Sequence, residues 1–176
     1  MPENIRKKGD DNMTDMIDKE IAAEDDTLKD RYLTFSAGHE IYGLEIKYVT
    51  EIVGIQKITV VPEMPEYIKG IMNLRGKIIP VIDIRLRFKK EPKEYNDRTC
   101  IIVIDINGTS IGLIVDAVSE VVTIPEQDIT DPPKINNNFK GRFIKKIGKV
   151  GNEVIMILDC EKIISEDELR EINNEL

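Results

Sequence analysis

The stretch that decides the fold is YIKGIMNLRGKIIPVID, Tyr67 to Asp83. It is nearly all apolar, yet Asn73, Arg75 and Gly76 interrupt it. Two β-branched-rich runs either side of a short polar break that contains glycine read as a β-hairpin, with NLRGKI at its turn. The second run carries Ile78, Ile79, Val81, Ile82 and Ile84, so both of its faces are apolar. One face serves its own sheet; the other must pack on a second sheet or on another protein. Pro80 cannot donate to a ladder, which predicts an edge strand or a bulge at that point.

The stretch recurs. A shift of 76 residues lays Tyr67–Asp83 on FIKKIGKVGNEVIMILD, Phe143 to Asp159, without a gap. A shift of 69 lays YGLEIKYVTEIV, Tyr42 to Val53, on IGLIVDAVSEVV, Ile111 to Val122. Gly43 meets Gly112, Leu44 meets Leu113, Val49 meets Val118 and Glu51 meets Glu120. The difference between the shifts is absorbed by the polar insertion DITDPPKINNNFKG. One β unit therefore occurs twice in tandem. The copies differ at the turn: the first has Arg75, and the second has Gly151 at the matching position. Shared geometry with unshared surface chemistry gives the first copy's turn a task of its own.

Outward from these stretches, short β-rich runs follow one another from Arg31 to Asp159, separated by Gly, Asn, Asp and Pro. That texture predicts an all-β chain of two small tandem barrels packed side by side, with a groove between them, rather than alternating βα units. Asn107-Gly108 supplies the positive-φ residues of a tight hairpin turn. SEDELREINNEL closes the chain as a helix, with Ser165 and Glu168 spaced as a capping box. The expected organisation is an acidic disordered tail over 1–30, one barrel unit over about 31–90, a second over about 98–160 with possible strand exchange between them, and a C-terminal helix over 166–176. The tail carries ten acids and five bases, so five of the chain's net −8 charges lie there.

Little in the sequence points to catalysis. The only histidine, His39, falls in a predicted turn without a partner group. Phosphate-binding, zinc-protease and nucleophile-elbow motifs are absent. Cys100 and Cys160 sit singly in apolar runs, as buried thiols do. Asp83 can pair with Arg85, Arg87 or a backbone amide of a following short helix, and Asp105 is the polar beat of a strand near a turn. The alternative reading is a nucleic-acid-binding tandem barrel. Against it stand 5% aromatic residues, no tryptophan and a negative charge. The one basic strip is Lys145, Lys146 and Lys149.

The segments YLTFSAGHEIYGLEI, VTEIVG, YIKGIMNLRGKIIPVIDIRLRF and GLIVDAVSEVVTI resemble the CheW-like domains of bacterial chemotaxis, from about Tyr32 to the C-terminal helix. The resemblance implies two SH3-like five-stranded barrels, no catalysis and no cofactor or metal. It implies a cytoplasmic adaptor recruited to membrane-bound receptor arrays, with no membrane insertion of its own and no nucleic acid. Its two implied partners are the regulatory domain of the histidine kinase CheA and the hairpin tip of chemoreceptors. The receptor groove maps onto Val49, Glu51, Arg75, Gly76 and Val121; no kinase-contact residue is assigned. The acidic tail departs from the family pattern.

Overall fold

The computed structural model describes residues 28–134 and 142–175. Apart from residues 28–30, the tail expected over 1–30 lies outside them. Each apolar run becomes a strand: β1 (Arg31–Ala37), β2 (Glu40–Glu45), β3 (Val49–Gly54), β4 (Ile68–Leu74), β5 (Lys77–Asp83), β6 (Cys100–Ile106), β7 (Thr109–Val115), β8 (Ala117–Thr123), β10 (Ile144–Val150) and β11 (Glu153–Leu158). A two-residue strand, β9 (Ile129–Thr130), joins them, with helices α1 (Ile84–Arg87), α2 (Cys160–Ile163) and α3 (Glu166–Glu175). The fold is all-β, two SH3-like barrels side by side.

The sheets do not follow the sequence units. One has the order β3-β6-β7-β5-β4, and its strands all fall between residues 49 and 115. The other, β8-β1-β2-β11-β10-β9, takes strands from both ends of the chain. The first is the central barrel and the second the flanking barrel. Units drawn at 31–90 and 98–160 are therefore not the spatial units, because hairpin β1–β2 pairs with β8 and β11 while hairpin β6–β7 pairs with β3 and β5. The copies have exchanged hairpins. β9 makes the flanking sheet six-stranded rather than five-stranded, through the pairs Ile147↔Thr130 and Gly148↔Ile129.

The repeat survives the exchange in atomic detail. Val81 pairs with Gly112 across parallel β5 and β7, and Ile157 pairs with Gly43 across parallel β11 and β2. Each glycine is needed there: a Cβ on Gly112 would come within 2.9 Å of Ile101, and one on Gly43 within 3.0 Å of Ile155. The amide of Asp83 donates to Tyr67 O and that of Asp159 to Phe143 O, both at 2.8 Å. Asp83 and Asp159 then cap α1 and α2. The expected edge or bulge at Pro80 is corrected: β5 lies between β4 and β7. Its pairing with β7 covers only Val81 to Asp83, so the proline precedes the stretch where a second ladder needs its amide. The bulge lies on β4 instead, between Ile68 and Gly70.

The two apolar faces divide as the pattern requires. Ile79 and Val81 join Met72, Ile101 and Val103 inside the central barrel; their repeat equivalents Ile155 and Ile157 join Tyr32 and Ile124 inside the flanking one. Ile82 and Ile84 face the other way, into a core that both sheets share. Leu33, Phe35, Tyr42 and Leu44 enter it from the flanking sheet, and Ile102, Ile104, Ile111 and Leu113 from the central one. Phe35, Tyr42, Phe88 and Phe143 form a run of ring contacts with centroids 5.1–5.6 Å apart.

Polar ties reinforce the junction. The Asp116 carboxylate accepts from Gly38 N at 2.9 Å and from Arg85 Nε at 2.7 Å, joining the β1–β2 turn to α1. The Arg87 guanidinium is buried, with Nε donating to Ile163 O at 2.7 Å and its plane over the Tyr67 and Phe143 rings. Glu168 meets it from α3, and Ile172 enters the shared core. Burial lowers the Arg87 pKa to about 10, and Arg142 adds to the shift, so the group is still charged at neutral pH.

Two outcomes follow from this packing. Gly70 has φ +141°, and a Cβ there would lie 2.0 Å from Thr59 O. Gly70→Ala is expected to cost at least ~2 kcal/mol in chemical unfolding, from the left-handed backbone and the clash together; a loss under ~0.5 kcal/mol would contradict the placement of Thr59 on β4. Burial alone would raise the Asp116 pKa, but the Arg85 hydrogen bonds and the Gly38 amide hold it below 3.8. Its stabilisation is therefore complete above the ordinary aspartate range and lost as pH falls through the depressed folded value. Asp116→Asn should cost about 2–3 kcal/mol at neutral pH, with the gap to the parent closing as pH falls below the ordinary aspartate range; a gap independent of pH would refute the pairing.

Candidate protein-interaction site

Arg75 and Gly76 occupy the tip of the β4–β5 hairpin with φ of 53° and 86°, the primed turn whose twist suits a tight hairpin. Asn73 Oδ1 accepts from Gly76 N at 2.8 Å and fixes the turn from below. A non-glycine residue pays a steric penalty in this left-handed region, so the arginine is held where a glycine would be easier. Gly151 holds the same place in the β10–β11 hairpin with φ 58°.

The Arg75 fork closes on Glu51. Nη1 donates to Oε1 at 3.0 Å and Nη2 to Oε2 at 2.7 Å, a bidentate pair. Arg75 remains 75% exposed and Glu51 26%. Glu51 lies on β3, one edge of the central sheet, and the β4–β5 hairpin forms the other edge. The pair is thus a clasp across the seam where the barrel closes. A bulge between Val49 and Glu51 turns β3 about this point. Glu51 is opposite Val103, a barrel-interior residue, whereas Val49 is opposite Ile104, in the shared core.

Of the five residues read from the sequence, Glu51, Arg75 and Gly76 form one constellation, and Val49 lies two residues before Glu51. Val121 is not part of it. It lies on β8 of the flanking sheet opposite Leu33, 42% exposed. Its repeat equivalent on β3 is Ile52, opposite Ile102 and 43% exposed. Leu33 and Ile102 both belong to the shared core, so Val121 and Ile52 are its two exposed apolar rims. Ile52 is not among the five residues that the family resemblance points to, although the 69-residue shift that matches Glu51 with Glu120 also matches Ile52 with Val121.

The other candidate groups have structural duties. His39 is exposed in the β1–β2 turn. Asp83 accepts from Leu86 N and from Tyr95 Oη, and Asp105 accepts from Gly108 N. Burial pushes the Cys160 thiol up to about 12, so it is not a thiolate near neutrality. Lys145 pairs with Glu45 at 2.9 Å and Lys146 with Asp131, so acids offset the basic strip. Among the described residues no group of three or more His, Cys, Asp or Glu could hold a metal ion, and no helix is long and apolar enough to cross a membrane.

This surface belongs to a known architecture: the CheW-like domain family matches residues 31–168. The chain belongs to that family. It is 32% identical to the chemotaxis protein CheW of Klebsiella aerogenes over 149 residues, covering 85% of this chain and 90% of that one. It is 30% identical to the CheW of Treponema pallidum, covering 81% and 86%. A solved structure, the scaffolding protein TtCheW of Thermoanaerobacter tengcongensis, superposes with a TM-score of 0.72 at 40% identity, covering 79% of this chain and 90% of that one.

Because the Arg75–Glu51 clasp is largely exposed, it should contribute little to stability. A double-mutant cycle of Arg75→Ala and Glu51→Ala in urea is expected to give a coupling of at most ~1 kcal/mol. A coupling of ~3 kcal/mol would make the pair a structural lock.

Proposed function

We propose that this protein is a non-catalytic chemotaxis adaptor that couples the cytoplasmic hairpin tips of chemoreceptors to the regulatory domain of the histidine kinase CheA, with the receptor seated at Val49, Glu51, Arg75, Gly76 and Val121. Membership of the CheW-like domain family carries the adaptor assignment. The geometry of the β4–β5 turn supports the seat. Arginine occupies a positive-φ position there, its bidentate partner holds the guanidinium plane, and its remaining N–H donors face solvent. A helical partner offers carboxylates and carbonyls to such a donor, and Ile52 and Val121 offer apolar surface to the helix face.

The chemistry asked of the protein is differential binding. An adaptor transmits receptor state only by binding two receptor states, or two kinase arrangements, with unequal affinity. Individual contacts can be weak, because linked copies in an array raise effective concentration. Cytoplasmic residence with recruitment to membrane-bound arrays belongs to the same proposal. The nucleic-acid alternative finds no support: the family is one of chemotaxis proteins, and acids neutralise Lys145 and Lys146.

Binding of a soluble receptor-tip hairpin, measured beside melting temperature, tests the seat. Arg75→Ala and Glu51→Ala should each weaken binding by ~2 kcal/mol or more while stability changes by no more than ~1 kcal/mol. Glu120→Ala, at the repeat-equivalent position without an arginine, should weaken it less. Parent-like binding by Arg75→Ala would remove the seat from this turn.

A further inference from the structure

The two barrel seams are equivalent by the repeat, yet only the central one is clasped. In the flanking barrel Glu120 stands where Glu51 stands, and Gly151 where Arg75 stands. The next charged position is inverted as well: Lys77 is matched by Glu153, and the Lys77 contact Ser110 is matched by Ile41. The central seam therefore carries Glu51, Arg75 and Lys77, and the flanking seam Glu120 and Glu153.

A cleft of about 140 Å³ lies in the flanking seam, lined by Thr34, Ile41, Glu120, Val122, Val150 and Glu153 among others. Its wall on one side is edge strand β8 and on the other the β10–β11 hairpin, just as the clasp joins β3 to the β4–β5 hairpin. Thr34 Oγ1 donates to Glu120 O at 2.9 Å and accepts from Glu120 N at 3.3 Å, so the backbone of Glu120 is fixed. The lining is mostly polar, and Ile41, Val122 and Val150 add apolar surface to it that suits the stem and flat faces of a guanidinium side chain.

We propose that this flanking-seam cleft is a receiving site for an arginine side chain of a protein partner, which supplies in trans the clasp that Arg75 supplies in cis. Glu120 accepts the fork and Glu153 adds a second negative charge; together they favour a guanidinium over an ammonium, which cannot bond bidentately. The copy of this site that the chain does complete, Glu51 with Arg75, shows the ligand class at the equivalent place. The inference rests on the repeat and the cleft, and is independent of the receptor seat.

Ethylguanidinium, titrated into the full isotope-labelled chain and followed by amide shifts, tests it. Saturable shifts at Glu120, Val122, Val150 and Glu153 are expected, at least tenfold weaker in Glu120→Gln/Glu153→Gln and unchanged in Arg75→Ala. Ethylammonium should bind markedly less well. No confined shifts, or equal binding of the two cations, would overturn the proposal. Gly151→Arg gives a second reading that needs no added ligand. A Cβ at Gly151 meets nothing within 4 Å, and Arg75 shows that the turn tolerates arginine at positive φ. The new side chain should close the cleft, abolish ethylguanidinium binding and show guanidinium Nη–H signals protected from exchange only while Glu120 is present, as the Arg75 clasp bonds through Nη1 and Nη2. Freely exchanging Nη–H signals, unaffected by Glu120→Gln, would overturn the assignment.

Discussion

Everything in this molecule leans on one core that belongs to neither barrel. The strands that line it are apolar on both faces, and each face has a different owner. Ile79 and Val81 fill a barrel, while Ile82 and Ile84, on the same stretch of chain, fill the junction. Burying an aliphatic or aromatic side chain contributes ~1.5–3 kcal/mol, so neither sheet can be exposed on this face without a large loss. The exchange of hairpins follows the same geometry: β2 leads into β3 and β7 into β8 across the junction, so the chain crosses between sheets twice. The central barrel is a continuous piece of chain set inside the flanking one.

That arrangement explains where functional chemistry can sit. Residues that face the shared core are committed to packing, and residues that face the barrel interiors equally so. What remains is the seams, where edge strands meet hairpin tips, and the rims, where the core reaches solvent at Ile52 and Val121. A seam is a natural place for a bidentate pair, since it lacks a backbone ladder. The repeat then lets the two seams diverge, one becoming a self-contained donor site at Arg75 and the other keeping its glutamates without an arginine.

Much of this was legible in the residues. The alternation of greasy runs with Gly, Asn and Asp placed every long strand, and Asn107-Gly108, Arg75-Gly76 and the Ser165–Glu168 capping box took the predicted forms. The self-match at shifts of 69 and 76 extends to bulges, parallel pairs and helix caps. The spatial units were not legible, because a tandem repeat says which segments share a shape but not which copy a strand pairs with. Pro80 misled for a related reason: a proline excludes one hydrogen bond, and that bond was not demanded by a parallel contact three residues long. β9 is too short to leave a pattern. The role of Arg87 was hidden as well, since a buried arginine among Tyr67, Phe143 and Ile163 has no signature beyond its match to an isoleucine in the second copy.

The shared core makes the two barrels one cooperative unit, so that surface chemistry can change at the seams while the frame stays fixed. Differential scanning calorimetry of the full chain tests it most directly. A single transition is expected, with a van't Hoff enthalpy equal to the calorimetric enthalpy. Two resolved transitions, or a van't Hoff enthalpy well above or below the calorimetric one, would mean that the barrels do not melt as a single two-state unit and would contradict it.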